Sequence, residues 1–178
     1  TNEITFTDSS TAITSGQFLN VTSVQVVNFH TGNDTITIAD NDTKLDNVEL
    51  KLGTGTNKVI YSDIADFTTA DKVTGGGTDS IEFNNSGSLN SSAFANVNAI
   101  DSVVFSNGVD TLTLSDNKLD SVVLNLGTGS DIVNVAKGNL TNTDNINAGA
   151  GDTDVLNITD TSGALTFLDT NFTNLSNF

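Results

Sequence analysis

The chain has no cysteine, methionine, tryptophan or proline, and all six of its basic residues are lysine, so arginine is missing too. Without cysteine there are no disulfides, and cohesion has to come from packing, hydrogen bonding or bound metal ions. Without arginine or tryptophan, and with Tyr61 as the only tyrosine, a wall of basic or aromatic subsites for a sugar chain is not expected. That argues against a polysaccharide lyase or glycosidase. The six lysines face 22 acidic residues, and the net charge is −16. Nucleic acid and anionic membranes both need a basic face, so neither is an expected partner. No run of about 18 apolar residues occurs, which excludes a transmembrane helix, and no basic segment followed by an apolar one opens the chain, so no signal peptide is expected. The sole histidine, His30, has no serine or cysteine nucleophile suggested beside it and reads as an exposed turn residue. At 178 residues and 36% hydrophobic composition, one domain with a sizeable core is still within reach.

What fills the chain is threonine, asparagine, aspartate, serine and glycine, arranged in a recurring device. Residues 126–135, LGTGSDIVNV, carry it most fully: Gly127 and Gly129 where the backbone must bend, Asp131 just past the bend, then Val133 and Val135 at alternate positions. Alternation with period two is a strand with one buried face. The device recurs as FHTGNDTITI at 29–38, LGTGTNKVIY at 52–61, TGGGTDSIEF at 74–83, FSNGVDTLTL at 105–114 and AGAGDTDVLNI at 148–158, with a truncated NEITF at 2–6. Counted from the acid or amide, positions +2 and +4 are apolar in all seven copies. A slip of one residue would turn that face to water, so register is tightly specified. A second class of strand precedes the bends, led by Asp46, Asp71, Asp101, Asp120 or Asp144, with Gln25 in the first copy. Each coil is therefore expected to hold two strands, one entering the bend and one leaving it.

A longer repeat overlies the short one. The segment from Phe18, FLNVTSVQVVNF, lies on FANVNAIDSVVF from Phe94 at an offset of 76 residues, and FTNLSNF from Phe172 begins a third copy. The expected organisation is a single segment, 1–178, made of the end of a repeat at 1–17, repeat one at 18–93, repeat two at 94–171 and the start of a third at 172–178. A chain that starts inside a repeat is expected to be a piece of something longer. Regular bends with the same face turned inward predict an all-β, right-handed parallel β-solenoid of about seven coils, a rod of roughly 34 Å at ~4.8 Å per coil. The polar stretches 7–24 and 84–100 are expected as protruding loops, the second with a helical turn near Ser91–Asn96, returning through Phe18 and Phe94. An antiparallel sandwich fits short strands with turn signals equally well; a constant coil length favours the solenoid.

The bends are where a metal would bind. Backbone carbonyls around glycine and a carboxylate just after them are the hard oxygens Ca²⁺ takes, six to eight of them at ~2.3–2.6 Å. One bend cannot fill that shell, whereas two stacked coils could. The candidate metal ligands are Asp34, Asp79, Asp110, Asp131, Asp152 and Asp154, and no catalytic residue or other cofactor is expected. Asn57 takes the acid's place in one turn and removes a charge. The competing role for these residues is the ordinary one of Asp and Asn in turns, accepting backbone N–H bonds.

The tandem GTGSD-like turns, read against the G-G-x-G-x-D calcium repeat, together with the openings FLNV, FANV and FTNL, resemble RTX-type bacterial surface-layer proteins and related giant adhesins. The resemblance spans the whole chain and implies a secreted, cell-surface, Ca²⁺-stabilised β-solenoid that assembles in sheets or fibres. Bends on one side only set this chain apart from the tight roll of RTX proteases. Residues 2–6 match the last strand of a repeat and 172–178 the first strand of the next, so head-to-tail self-association through unpaired strand edges is expected. An adhesin module binding a surface glycan or protein through the 84–100 segment is the alternative, and a carbohydrate-active enzyme a further one.

Overall fold

A computed structural model describes residues 1–8, 10–151, 153–160, 166 and 168–178. Short strands with alternating burial form three sheets. The first runs β1 (Glu3–Thr5), β3 (Val26–Asn28), β5 (Glu49–Lys51), β7 (Lys72–Thr74) and β10 (Val97–Asn98). The second has eight strands: β2 (Ala12–Thr14), β4 (Thr35–Ile38), β6 (Thr56–Tyr61), β8 (Thr78–Phe83), β11 (Ser102–Val104), β13 (Val123–Asn125), β15 (Asn145–Asn147) and β17 (Leu175–Ser176). The third has β9 (Ser88–Asn90), β12 (Thr111–Leu114), β14 (Ile132–Val135) and β16 (Val155–Ile158).

Every pairing among these strands is parallel, which rules out the antiparallel sandwich. The sequence phase is kept from rung to rung, with Ile36 opposite Val59 and Val59 opposite Ile81, and Leu112 opposite Val133 and Val133 opposite Leu156. The inward residues stack into one core, in which Val59, Ile81, Leu112, Leu124 and Val133 have no exposed surface. Each such side chain contributes about 1.5–3 kcal/mol relative to exposure.

Two expectations need correction. Two strands per coil imply two sheets, and there are three. Through β8 a rung runs from the first sheet, round the bend, into the second. β11 then stacks on β8, with Val103 opposite Ile81, so from that rung onward the strand before the bend lies in the second sheet and the strand after it in the third. The second correction concerns the polar stretches, which are not protruding loops. Residues 84–100 contain β9, a 3₁₀ turn at Ser91–Asn96 and β10; residues 7–24 contain β2 and a 3₁₀ turn at Ser15–Phe18. β9 pairs with β12 and β2 with β4, each anchored by one inward residue, Leu89 or Ile13. The 84–100 segment thus supplies the additional side that lets the chain change faces. Aromatic rings pack together there: Phe94 lies 4.6 Å from Phe67, and Phe83 lies 5.5 Å from Phe105, centroid to centroid. Phe94 and Phe18, through which the two stretches return, are both buried.

Stacking brings bends into backbone contact. Gly55 has φ +125°, and a Cβ there would run into the carbonyl of Gly32 on the preceding rung. Only glycine accepts both the left-handed backbone and that approach.

Candidate functional site: a column of acids at the bends

Side-chain oxygens at the bends reach back to donors of the rung before, most of them backbone N–H groups. In the first half, Thr11 N–H donates to Asp34 Oδ1 at 2.6 Å and Asp34 N–H donates to Asn57 Oδ1 at 2.8 Å. Asn57 Nδ2 donates to Asp79 Oδ1 at 2.7 Å, and the N–H groups of Gly76 and Gly77 donate to Asp79 Oδ2 at 2.7 and 3.1 Å. In the second half, Gly87 N–H donates to Asp110 Oδ1, Asp110 N–H to Asp131 Oδ1 and Asp131 N–H to Asp154 Oδ1, each at 2.8 Å. A short side chain placed one rung along is what a buried bend N–H needs as a partner.

The column is buried from Asp34 to Asp131, with no exposed surface at Asp110 and Asp131, and Asp154 at its end is half-buried. Among the described residues, Asp34 Oδ2 and Asp131 Oδ2 are buried carboxylate oxygens without a hydrogen-bond partner. Burial pushes the Asp110 carboxyl up to about 6, helped by the Asp131 charge and opposed by the donors Gly87 N–H and Ser106 Oγ. Burial also raises Asp131, with Asp154 adding to the rise and the Asp110 N–H opposing it. A carboxylate that loses water without gaining a cation prefers its neutral form.

A second set of acids supports the other side of each rung, before the entering strand. Asp71 accepts from Tyr61 Oη at 2.9 Å and from Thr68 N–H at 2.7 Å, and Asp144 accepts from Thr141 N–H at 2.6 Å. Burial is the main force raising both. It also holds the Tyr61 hydroxyl well above its ordinary value, with the charge of Asp71 next in effect.

Set against the donor chemistry of Ca²⁺, the six candidates separate. Asp79 has both oxygens engaged by donors, whereas Asp34 and Asp131 each keep a free buried oxygen. Asp110 Oδ2 has only a long bond from Ser106 Oγ, at 3.3 Å, and Asp154 gives one oxygen to Asp131 N–H. Asp152 lies outside the described residues. Several bend carbonyls already accept from the next rung: Gly55 O from Thr78 N–H at 2.7 Å, Gly127 O from Ala150 N–H at 3.2 Å. Among the described residues, no three Asp, Glu or His side chains surround a common point. Partnerless carboxylate oxygens in a buried acidic column are the right donor type for a divalent cation. Six to eight ligands would need second lone pairs of carbonyls and water as well.

The sequence reading left Asp101 out of the site. Its Oδ2 accepts the Asp79 N–H at 2.7 Å, and Gln25 Oε1 does the same for Asn2 N–H at 3.1 Å. Both residues lead an entering strand, and their shared slot in the repeat was the available signal. His30 is an exposed residue of the bend. A concavity of about 310 Å³ lies where the first sheet ends, lined by Phe94, Val97, Ile100 and Leu119, with Lys118 Nζ donating to Val97 O at 3.3 Å. No helix among the described residues is long and apolar enough to cross a membrane. No family model, curated protein or solved structure matches the chain.

Proposed function

We propose that the chain is a right-handed parallel β-solenoid of about seven coils, with a non-enzymatic, structural role at the bacterial cell surface. The supporting observation is the column of bend residues, in which each acid or amide is committed to the rung before it. The side chains that carry chemistry are occupied in holding rung to rung. Calcium supplies the counter-charge, taking the free oxygens of Asp34 and Asp131 and the neighbouring Asp110 and Asp154; the likeness to RTX-type surface-layer repeats supports the same ion and an extracellular site. Copies assemble into a layer or fibre, with β1 and β16 as the outermost strands of their sheets among the described residues, edges of the kind that template a further strand. A calcium titration followed by circular dichroism and light scattering tests this reading. The expected result is a rise in β signal and in mass with calcium, reversed by chelator. An unchanged spectrum together with a strict monomer in both conditions would overturn it.

A further inference from the structure

The two halves of the chain share a repeat but differ in one property. Strands β1–β8 carry Glu3, Glu49, Lys51, Lys58, Lys72 and Glu82 on their outward positions. Lys58 Nζ pairs across rungs with Glu82 Oε1 at 2.7 Å, and Lys51 Nζ with Glu49 Oε2 along one strand at 3.7 Å. Strands β9–β17 contain no charged residue at all. Their outward faces are held by amide ladders instead, with Asn157 Nδ2 donating to Asn134 Oδ1 at 2.9 Å and Asn147 Nδ2 to Asn125 Oδ1 at 3.4 Å.

On the third sheet the register sets these residues in two rows. Ser88, Thr111, Ile132 and Val155 form one, growing more apolar along the stack, and Val155 is 41% exposed. Asn90, Thr113, Asn134 and Asn157 form the other. We propose that this outward face of β9, β12, β14 and β16 is a lateral docking surface, and that its occupant is the same face of a second copy of the chain.

Charge selects that occupant. At a net charge of −16, two copies repel, and they meet at least cost where neither presents a carboxylate. Chemistry selects it as well. Carboxamides and hydroxyls each carry donor and acceptor, so a face made of them complements itself under a two-fold axis, as a face of Glu and Lys need not. Flat in-register sheets bearing Asn ladders and no charge are the surfaces that pack face to face at ~10 Å. Four strands at ~4.8 Å and about four residues at ~3.3 Å give a contact of roughly 250 Å² per copy, well under the ~800 Å² per partner of a stable complex. Pairing of single segments is therefore weak and concentration-dependent, and gains strength when faces are repeated along an assembly.

This inference rests on the proposed assembling role, and the test separates the two. The full chain, with Thr113→Lys, Asn134→Lys and Thr37→Lys variants, is followed by sedimentation from micromolar to millimolar concentration in calcium. Thr37 is the control: it lies 76 positions before Thr113, on the matching strand β4, with Glu82 two strands away. Each lysine lowers the net negative charge, so general electrostatics would favour association. The expected result is association of the native chain and of T37K, and at least tenfold weaker association of T113K and N134K, with native far-UV spectra throughout. Equal association of T113K, N134K and the native chain would overturn the face and leave the assembling role standing. Equal weakening by T37K would also overturn the face. A native chain that stays monomeric over the whole range would remove the face and the assembling role together.

Discussion

Replacing Asp110 by Asn tests the electrostatics of the bend column directly. The Asn Oδ1 keeps the bond from Gly87 N–H, now 2.8 Å, and its Nδ2 meets the Ser106 hydroxyl as a donor, so the change removes a charge and little else. In the native chain the folded carboxyl titrates at about 6 against an ordinary 3.8. Between those values the folded state holds more protons than the unfolded one, so its stability falls as pH rises and the loss is complete above the folded value. A shift of that size corresponds to about 3 kcal/mol at most. The carboxyl sits at a bend, where nearby water screens part of this, and about 1–3 kcal/mol is the working range. For a chain of this size that is roughly 2–12 °C in Tm. In chelator at pH 8, D110N is expected to melt higher than the native chain by that margin, and at pH 4 the two should nearly coincide. In calcium the order should reverse if Asp110 is a ligand, because the variant cannot bind the ion as well. Thermal melts by circular dichroism over pH 4–8, with and without calcium, decide the matter. A D110N melting point in chelator equal to or below the native one at pH 8, or a gain undiminished at pH 4, would refute the reasoning.

Asp131→Asn should also raise the melting point in chelator at neutral pH, since it places an amide where Asn57 stands in the first half and removes the charge of a buried carboxylate whose Oδ2 has no partner; a lower melting point would contradict it. Gly55→Ala forces a Cβ into the Gly32 carbonyl at φ +125°, and a loss of about 2–4 kcal/mol is expected in urea unfolding. Tyr61→Phe strips the buried Asp71 of a donor at 2.9 Å and should cost about 1–3 kcal/mol at neutral pH; the cost shrinks toward acid pH as Asp71 protonates, measurable in the same melts. Hydrogen exchange in chelator at pH 8 should find the bends at 105–114 and 126–135 less protected than those at 29–38 and 52–61, because Asn57 relieves the first half.

The strands after the bends were legible because one instruction is written seven times. Ile36, Val59, Ile81, Leu112 and Val133 all point inward as the +2 rule requires. The third sheet was not legible, because period two says which side of a strand is buried and nothing about which sheet the strand joins. Ile81 and Leu112 hold the same place after a bend, yet they belong to different sheets. β2 and β9 were hidden for another reason. Three residues, Ala-Ile-Thr or Ser-Leu-Asn, hold a single inward side chain, and one apolar residue among serines and asparagines is no pattern. Bend residues spaced 21–23 apart do stack as neighbours, Asp34 with Asn57 and Asn57 with Asp79, then Asp110 with Asp131 and Asp131 with Asp154. Whether their oxygens meet an N–H or an ion turns on side-chain direction, which spacing does not encode.

The change of faces at β8 follows from the same repeat that hides it. β2 and β9, β3 and β11, and β4 and β12 each stand 76 residues apart and make matching contacts: β2 pairs with β4 as β9 does with β12, and β1 with β3 as β8 does with β11. β8 is therefore the last strand of one repeat's second column and the strand on which the next repeat's first column is laid. A sheet shared in this way ties the repeats together more firmly than end-to-end contact would, because the eight-stranded sheet runs through both without an internal edge. The bend column keeps pace with it. Asp101 takes over the Asp79 N–H at the shared strand, as Gln25 takes the Asn2 N–H at β1, so hydrogen bonding passes through the handover where a change of sheets would otherwise leave a buried donor unpaired. Conversion of Asp101 to a residue without an acceptor would strike the point where the two repeats are joined, which is why an acid in an entering strand belongs to the same system as the acids of the bends.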